Sequence, residues 1–163
     1  MQDQVEETHN TNEIADPEII TAAGRLLAFD PGTKLWGVAV SDPTRSVASP
    51  LTAVSSTNWK RLLSSVKELI ARYDAAAVVI GLPLESDGSE GKMSRYSRRC
   101  AEKLRLSIDL PIHLQDERVT TFEARRRLWL RGKNAKLEKN AVDSEAAAVI
   151  LGDFLDRLTS ANK

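Results

Sequence analysis

Two short apolar runs, residues 26–29 and 36–40, are separated by only six residues, which include Asp30, Pro31 and Gly32. Short apolar runs bounded by Gly and Pro are typical of β-strands, and so brief a connection predicts a hairpin. Gly32 is expected to supply the positive φ that a tight hairpin turn often requires. Asp30 then stands at the carboxyl end of a buried strand. It is either a turn residue, since Asp-Pro-Gly favours turns, or a functional carboxylate.

The remaining pattern predicts one α/β domain built around this hairpin. A third strand over 47–54 contains Pro50, which cannot donate to a ladder and so indicates an edge strand. Hydroxyl side chains at 55–57 are expected to cap the helix that follows. Further elements are predicted as a helix to residue 73, a strand over 75–80, a helix over 93–106, a strand over 111–115, a helix after a capping box at 120–123, and a last helix over 142–158. This order predicts a five-stranded mixed sheet with helices on both faces.

Charge is distributed unevenly along the 163 residues. Residues 1–24 contain six acids and no Lys or Arg, so the remainder holds 17 acids against 23 bases. We predict a disordered acidic arm over 1–23, a folded domain over 24–158 and a short tail over 159–163. The basic remainder favours an anionic partner.

Several classes of protein are excluded by composition. The single cysteine, Cys100, permits neither an internal disulfide nor a Cys-based zinc site. No apolar run approaches the roughly 18 residues of a membrane span, and the N-terminus does not resemble a signal peptide. A G-x-x-x-x-G-K-[ST] phosphate loop is absent. These features predict a cytoplasmic protein without a membrane partner.

Three carboxylates are predicted to meet near one edge of the sheet. Asp30 ends the first strand, and Glu117, beside Asp116, follows the fifth. Asp143 is expected in the first turn of the last helix. Its spacing places it on one helical face with Ala146, Ala147, Ile150 and Phe154.

An acid at the start of a helix can be an N-cap, or it can be stabilised by the helix dipole by about 0.3–1 kcal/mol. Neither explains an acid on an apolar face, where a charge needs a partner. A metal ion would give such a carboxylate a partner. Mg²⁺ accepts a few carboxylate oxygens with waters and phosphate oxygens, and two such ions support in-line phosphodiester hydrolysis. Spacing alone leaves both readings open.

Seven stretches resemble one known family, and they occur in the right order between about residues 24 and 158. They are DPGTK (30–34), GVAVSD (37–42), ASPL (48–51), GLPL (81–84), DGSEG (87–91), DERVTT (116–121) and VDSEAA (142–147). The chain resembles the YqgF/RuvX family of Holliday-junction-resolvase-like proteins, also described as pre-16S rRNA nucleases. The resemblance implies a ribonuclease-H-like fold and a metal-dependent cut in nucleic acid. Asp30, Glu117 and Asp143 would be catalytic and would bind Mg²⁺ or Mn²⁺, as a two-metal site.

One departure from the family pattern follows the DPGTK stretch. A basic and then an aliphatic residue are usual there, whereas this chain has Leu35 and Trp36. The difference puts a nearby phosphate contact in doubt and could shift substrate preference.

The resemblance also suggests a substrate and partners. Basic side chains are expected to neutralise phosphates around the acids, namely Lys34, Arg118, Arg125, Arg126, Lys133 and Lys136. We expect structured RNA to be recognised by shape, with 5′-end processing of pre-16S rRNA on a pre-30S particle, by a monomer or weak homodimer. The alternatives are a resolvase cutting four-way DNA junctions, which in general needs a symmetric dimer, and a non-catalytic ribosome-assembly module. An ATP-using domain of the actin type is disfavoured, since it needs two facing domains.

Overall fold

The computed structural model describes residues 22–117 and 139–161. Its strands are β1 (Arg25–Pro31), β2 (Leu35–Ser41), β3 (Ala48–Ser55), β4 (Ala75–Leu82) and β5 (Ile112–Asp116). Its helices are α1 (Trp59–Tyr73), α2 (Lys92–Ser107) and α3 (Lys139–Ala161). The strands and helices predicted within the described residues are all present.

The five strands form one mixed sheet in the order β3-β2-β1-β4-β5. β1 and β2 are antiparallel, as are β2 and β3, whereas β4 is parallel to both β1 and β5. The predicted hairpin and the predicted edge position of the Pro50 strand are confirmed. Because β1, β4 and β5 run in the same direction, their carboxyl ends meet at one edge of the sheet.

The two faces of the sheet are covered by different helices. Leu27 and Phe29 of β1 pack in the core with α1 and α2, while Leu26 and Ala28 pack against α3. Side chains alternate along a strand, so the next residue after Phe29 is on the α3 face. Burial of each such Leu or Phe contributes about 1.5–3 kcal/mol, which fixes the register of β1 and the face of Asp30.

Helix α1 begins one residue later than the hydroxyl cluster at 55–57 predicts. Asn58 is the N-cap, and its side-chain oxygen accepts a hydrogen bond from the Arg61 N–H at 3.0 Å. β3 continues through Ser55, and the Ser56 hydroxyl is used elsewhere, donating to the Gly32 carbonyl. The prediction that residues 55–57 cap the helix was therefore wrong.

Helix α3 is longer than predicted at both ends. It begins at Lys139 and not at Val142, and it continues to Ala161 through most of the predicted tail. Ala147, Ile150 and Phe154 are buried against the sheet, as the helical spacing predicts. Ala146 is exposed, so its predicted place on the buried face was wrong. Ala147 and Ile150 lie in the middle of the buried stripe of α3, and Ala146 lies at its border.

Some predictions lie outside the described residues. These are residues 1–21 of the acidic arm predicted over 1–23, and the capping box at 120–123 with the helix predicted to follow it. Within residues 22–117 and 139–161, no helix is long and apolar enough to cross a membrane.

Candidate active site

Asp30 and Glu117 meet at the carboxyl edge of the sheet, on the face that α3 covers. Asp30 is half-buried and pairs with Gly37 in the β1–β2 ladder, so it is a strand residue and not part of the turn. Glu117 directly follows β5, and its side chain is hydrogen-bonded to that of Asp30. Two of the three carboxylates singled out in the sequence are thus brought into contact.

The Asp30–Glu117 contact changes the acidity of the site. Burial raises the pKa of Glu117, and the charge of Asp30, the hydrogen bond to Asp30 and the charge of Asp116 raise it further, from 4.5 to about 8. At neutral pH and without a metal ion, Glu117 therefore holds a proton that it donates to Asp30. A cation held by Asp30 and Glu117 would replace that proton and favour the charged form of both carboxylates.

The third of these residues, Asp143, belongs to α3. Its neighbour Ser144 is buried, and the Ser144 hydroxyl accepts a hydrogen bond from the Val38 N–H of β2 at 3.2 Å. Val38 follows Gly37, the ladder partner of Asp30. The backbone at 143 is therefore tied to the part of β2 that lies beside Asp30.

The position of Asp143 within α3 differs from the expectation. Because α3 begins at Lys139, Asp143 lies beyond the first turn and is not an N-cap. The alternative reading of Asp143 as a helix cap is therefore excluded. Its function as a metal ligand stays a prediction.

The turn after β1 is anchored from two other elements. The hydroxyls of Ser56 and Tyr96 donate to the Gly32 carbonyl at 2.7 and 3.2 Å, and the Ser56 N–H donates to the Lys34 carbonyl at 2.9 Å. Gly32 does not have the positive φ predicted for it. It is instead required by space, because a Cβ there would lie 2.4 Å from the Leu35 carbonyl oxygen.

Trp36 takes no part in the site. It is fully buried on the opposite face of the sheet from Asp30, with its ring centroid 5.8 Å from that of Phe29 and 6.3 Å from that of Trp59. Leu35 is half-buried at the start of β2. The departure from the usual family residues at 36 is therefore a change in the core, and Trp36 does not face a substrate bound at Asp30.

A divalent cation fits the chemistry of the Asp30–Glu117 pair. Mg²⁺ keeps several waters and commonly takes one or two protein carboxylates together with substrate phosphate oxygens. Among the side chains described for residues 22–117 and 144–161, no three of His, Cys, Asp and Glu are grouped closely enough to hold a metal ion. A third protein ligand would therefore have to come from elsewhere, as predicted for Asp143.

Of the predicted phosphate-binding residues, only Lys34 is described. It is exposed in the turn four residues after Asp30. Arg118, Arg125, Arg126, Lys133 and Lys136 lie outside the described residues.

Sequence reasoning missed two residues that shape the site, Gly81 and Ser144. The sequence pattern ends the fourth strand before Gly81, whereas β4 continues through it, and the Glu117 carboxylate lies over it. The glycine within an apolar strand was a usable signal, because it often marks close approach of another group. The partner of Ser144 is 106 residues away and left no local signal.

Comparison with known proteins identifies relatives over most of the chain. The family model described as "RuvX: Holliday junction resolvase" matches residues 24–157. A "Putative pre-16S rRNA nuclease" of Anaeromyxobacter sp. (strain Fw109-5) is 40% identical over 132 residues, which cover 81% of this chain and 96% of the relative. A protein of the same description from Roseiflexus sp. (strain RS-1) is 39% identical over 133 residues, covering 82% and 94%.

Solved structures show the same fold at much lower identity. RuvC of T. thermophilus, solved in complex with a Holliday junction substrate, has a TM-score of 0.55 and 16% identity, covering 84% of this chain and 97% of that chain. The five-stranded mixed sheet between helical layers is thus the ribonuclease-H-like fold that the sequence predicts. With its family model matched over nearly the whole folded part, the chain belongs to the RuvX family of Holliday junction resolvases.

Proposed function

We propose that the protein is a metal-dependent nuclease that hydrolyses phosphodiester bonds in structured RNA and processes the 5′ end of pre-16S rRNA. The observation that carries the proposal is the contact between Asp30 and Glu117 at the carboxyl edge of the sheet, in a chain of a nuclease family. Two acids in contact are electrostatically unfavourable unless a proton or a cation lies between them. In a phosphodiesterase that depends on Mg²⁺ or Mn²⁺, such a pair of carboxylates binds the cation.

In this proposal Asp30, Glu117 and Asp143 hold the cations. When bound, Mg²⁺ or Mn²⁺ lowers the pKa of an attacking water and stabilises the leaving oxygen. Asp30 is held by the β1–β2 ladder, and Glu117 is held over Gly81. Lys34, which is exposed in the turn after Asp30, neutralises a neighbouring phosphate of the RNA and orients the RNA backbone for cleavage.

RNA is proposed as the substrate because the relatives at about 40% identity are named for pre-16S rRNA. The pre-30S particle would then supply the shape that selects the cleavage site. A four-way DNA junction is the second candidate, favoured by the description of the family. Cutting both arms of a junction symmetrically would require two active sites and hence a dimer. We further propose a cytoplasmic location, where precursor RNA would be met, and cell fractionation tests it.

One experiment separates these functions. Purified protein is given a 5′-extended 16S RNA and a DNA four-way junction side by side, with Mg²⁺, Mn²⁺ or EDTA. We expect metal-dependent shortening of the RNA that Asp30→Asn abolishes, and little cutting of the junction. Cutting of the junction alone would favour the resolvase. Wild-type cleavage that Asp30→Asn leaves unchanged would refute the assignment of the site, and no cleavage of either substrate would favour the assembly module.

A further inference from the structure

Gly81 lies at the centre of the candidate site without contributing a functional group to it. It belongs to β4, the strand between β1 and β5, and it is buried. In the ladder it pairs with Gln115 of β5, and its neighbour Ile80 pairs with Phe29 of β1. A side chain at this position would therefore project between Asp30 on one side and Glu117 on the other.

The space above Gly81 is already occupied. A Cβ at residue 81 would lie 2.5 Å from Oε1 of Glu117 and 2.6 Å from Cδ1 of Ile150, distances that real Cβ atoms do not show. The φ of Gly81 is not in the left-handed region, so backbone conformation does not require glycine here. The requirement is one of space.

Two neighbours could account for this requirement, and the rest of β4 distinguishes them. Ala77 and Val79 also face α3, and both carry side chains that pack in the same buried cluster as Ile150. Packing against α3 therefore tolerates a Cβ elsewhere on this strand. What residue 81 has in addition to this packing is the carboxylate of Glu117, which lies over the glycine and is hydrogen-bonded to Asp30.

We propose that Gly81 is a positioning residue: the absence of its side chain provides the space through which the Glu117 carboxylate reaches Asp30. The inference rests on the proposed nuclease function and names a determinant of its geometry. A methyl group at residue 81 would leave the backbone of β4 unchanged and would displace the ends of two flexible side chains. The fold survives this change, whereas the paired carboxylates separate.

The test uses three variants and one control. Gly81→Ala is compared with Ile150→Val, which lacks the Cδ1 atom, and with the double variant Gly81→Ala/Ile150→Val, in which only the contact with Glu117 remains close. Gly152→Ala is the matched control, because a Cβ there has no atom within 4 Å. The measurements are RNA cleavage, thermal unfolding with and without Mn²⁺, and a crystal structure of metal-free Gly81→Ala.

We expect Gly81→Ala to fold and to lose about 100-fold in cleavage rate, the effect of an ångström-scale misplacement of a catalytic group. Its unfolding temperature should no longer rise with Mn²⁺, and its structure should show Glu117 turned away from Asp30. The double variant should recover stability without recovering cleavage or the Mn²⁺ response. Ile150→Val and Gly152→Ala should keep both the cleavage activity and the Mn²⁺ response.

The contrary results are equally definite. A Gly81→Ala protein that retains wild-type cleavage and Mn²⁺ response would overturn the proposal. Recovery of both in the double variant would also overturn it, since the space would then serve Ile150 alone. If wild-type protein cut no substrate, the nuclease function would fail, and the Mn²⁺ response with the crystal structure would still decide whether Gly81 positions Glu117.

Discussion

Replacing Glu117 by Gln should make the metal-free protein more stable at high pH. Gln keeps a donor, its amide N–H, where protonated Glu117 donates to Asp30. It cannot acquire the negative charge that burial and Asp30 oppose. The wild-type protein must either keep the Glu117 proton or accept two charges in contact.

The direction and size follow from the raised pKa of Glu117. Below pH 4.5 the folded and unfolded states both hold the proton, so Glu117 makes no difference between them. From pH 4.5 to about 8 the unfolded chain releases this proton while the folded protein retains it, so stability falls as the pH rises. At about 1.4 kcal/mol per pKa unit the upper limit is about 5 kcal/mol. Glu117 as a residue is only partly buried, so solvent screening lowers this limit, and we expect about 2 kcal/mol.

The assay is thermal or urea unfolding in EDTA at pH 5 and pH 9. The Tm of Glu117→Gln minus that of wild type should be about 4–8 °C larger at pH 9 than at pH 5. Glu102→Gln, on the exposed surface of α2, is the matched control and should show no such gain. If the stability of wild type and of Glu117→Gln depended equally on pH, the reasoning would be refuted. The contact with Asp30 would then not raise the pKa of Glu117.

Three further predictions concern single side chains. Asp30→Asn should lower metal-dependent cleavage by at least about 100-fold while leaving the circular dichroism spectrum unchanged, because it removes a charge that we propose to bind the metal; a decrease below threefold would contradict this. Ser144→Ala should lower the free energy of unfolding by about 1–3 kcal/mol in urea titrations, because the buried Val38 N–H loses its acceptor, whereas exposed Ser64→Ala should not. Lys34→Ala should reduce the slope of log Kd for RNA against log salt by about 1, and Lys67→Ala on α1 should not; equal slopes would remove Lys34 from the interface.

Much of the fold was predictable because the strands are short apolar runs bounded by turn residues. Residues 26–29 of β1 are apolar throughout, as expected for a strand buried on both faces, and Leu27 and Phe29 do face one core while Leu26 and Ala28 face the other. The end of this run made the strand end at Asp30 predictable, whereas the face of Asp30 is known only from the structure. The pairing of Asp30 with Glu117 was predictable only in outline, from the rule that parallel strands end at a common edge.

The predictions that failed depend on which groups come into contact, and the residue types alone do not show this. Turn chemistry predicted a positive φ for Gly32, which it does not have. Glycine is needed there because the Leu35 carbonyl leaves no room for a Cβ. The helix cap at Asn58 depended on where β3 ends, which the hydroxyl pattern could not show. The space over Gly81 is defined by Glu117 and Ile150, which are remote in sequence, so the glycine within β4 indicated a close approach without showing which groups approach.

The central claim is that Asp30, Glu117 and Asp143 bind a divalent cation between them. Anomalous diffraction from crystals soaked in Mn²⁺ tests this directly. We expect a manganese peak in contact with the Asp30 and Glu117 carboxylates, with Asp143 as a further ligand, and no peak in Asp30→Asn crystals. A peak bound elsewhere, or an Asp143 side chain directed away from the Asp30–Glu117 pair in protein that cleaves RNA, would contradict the claim.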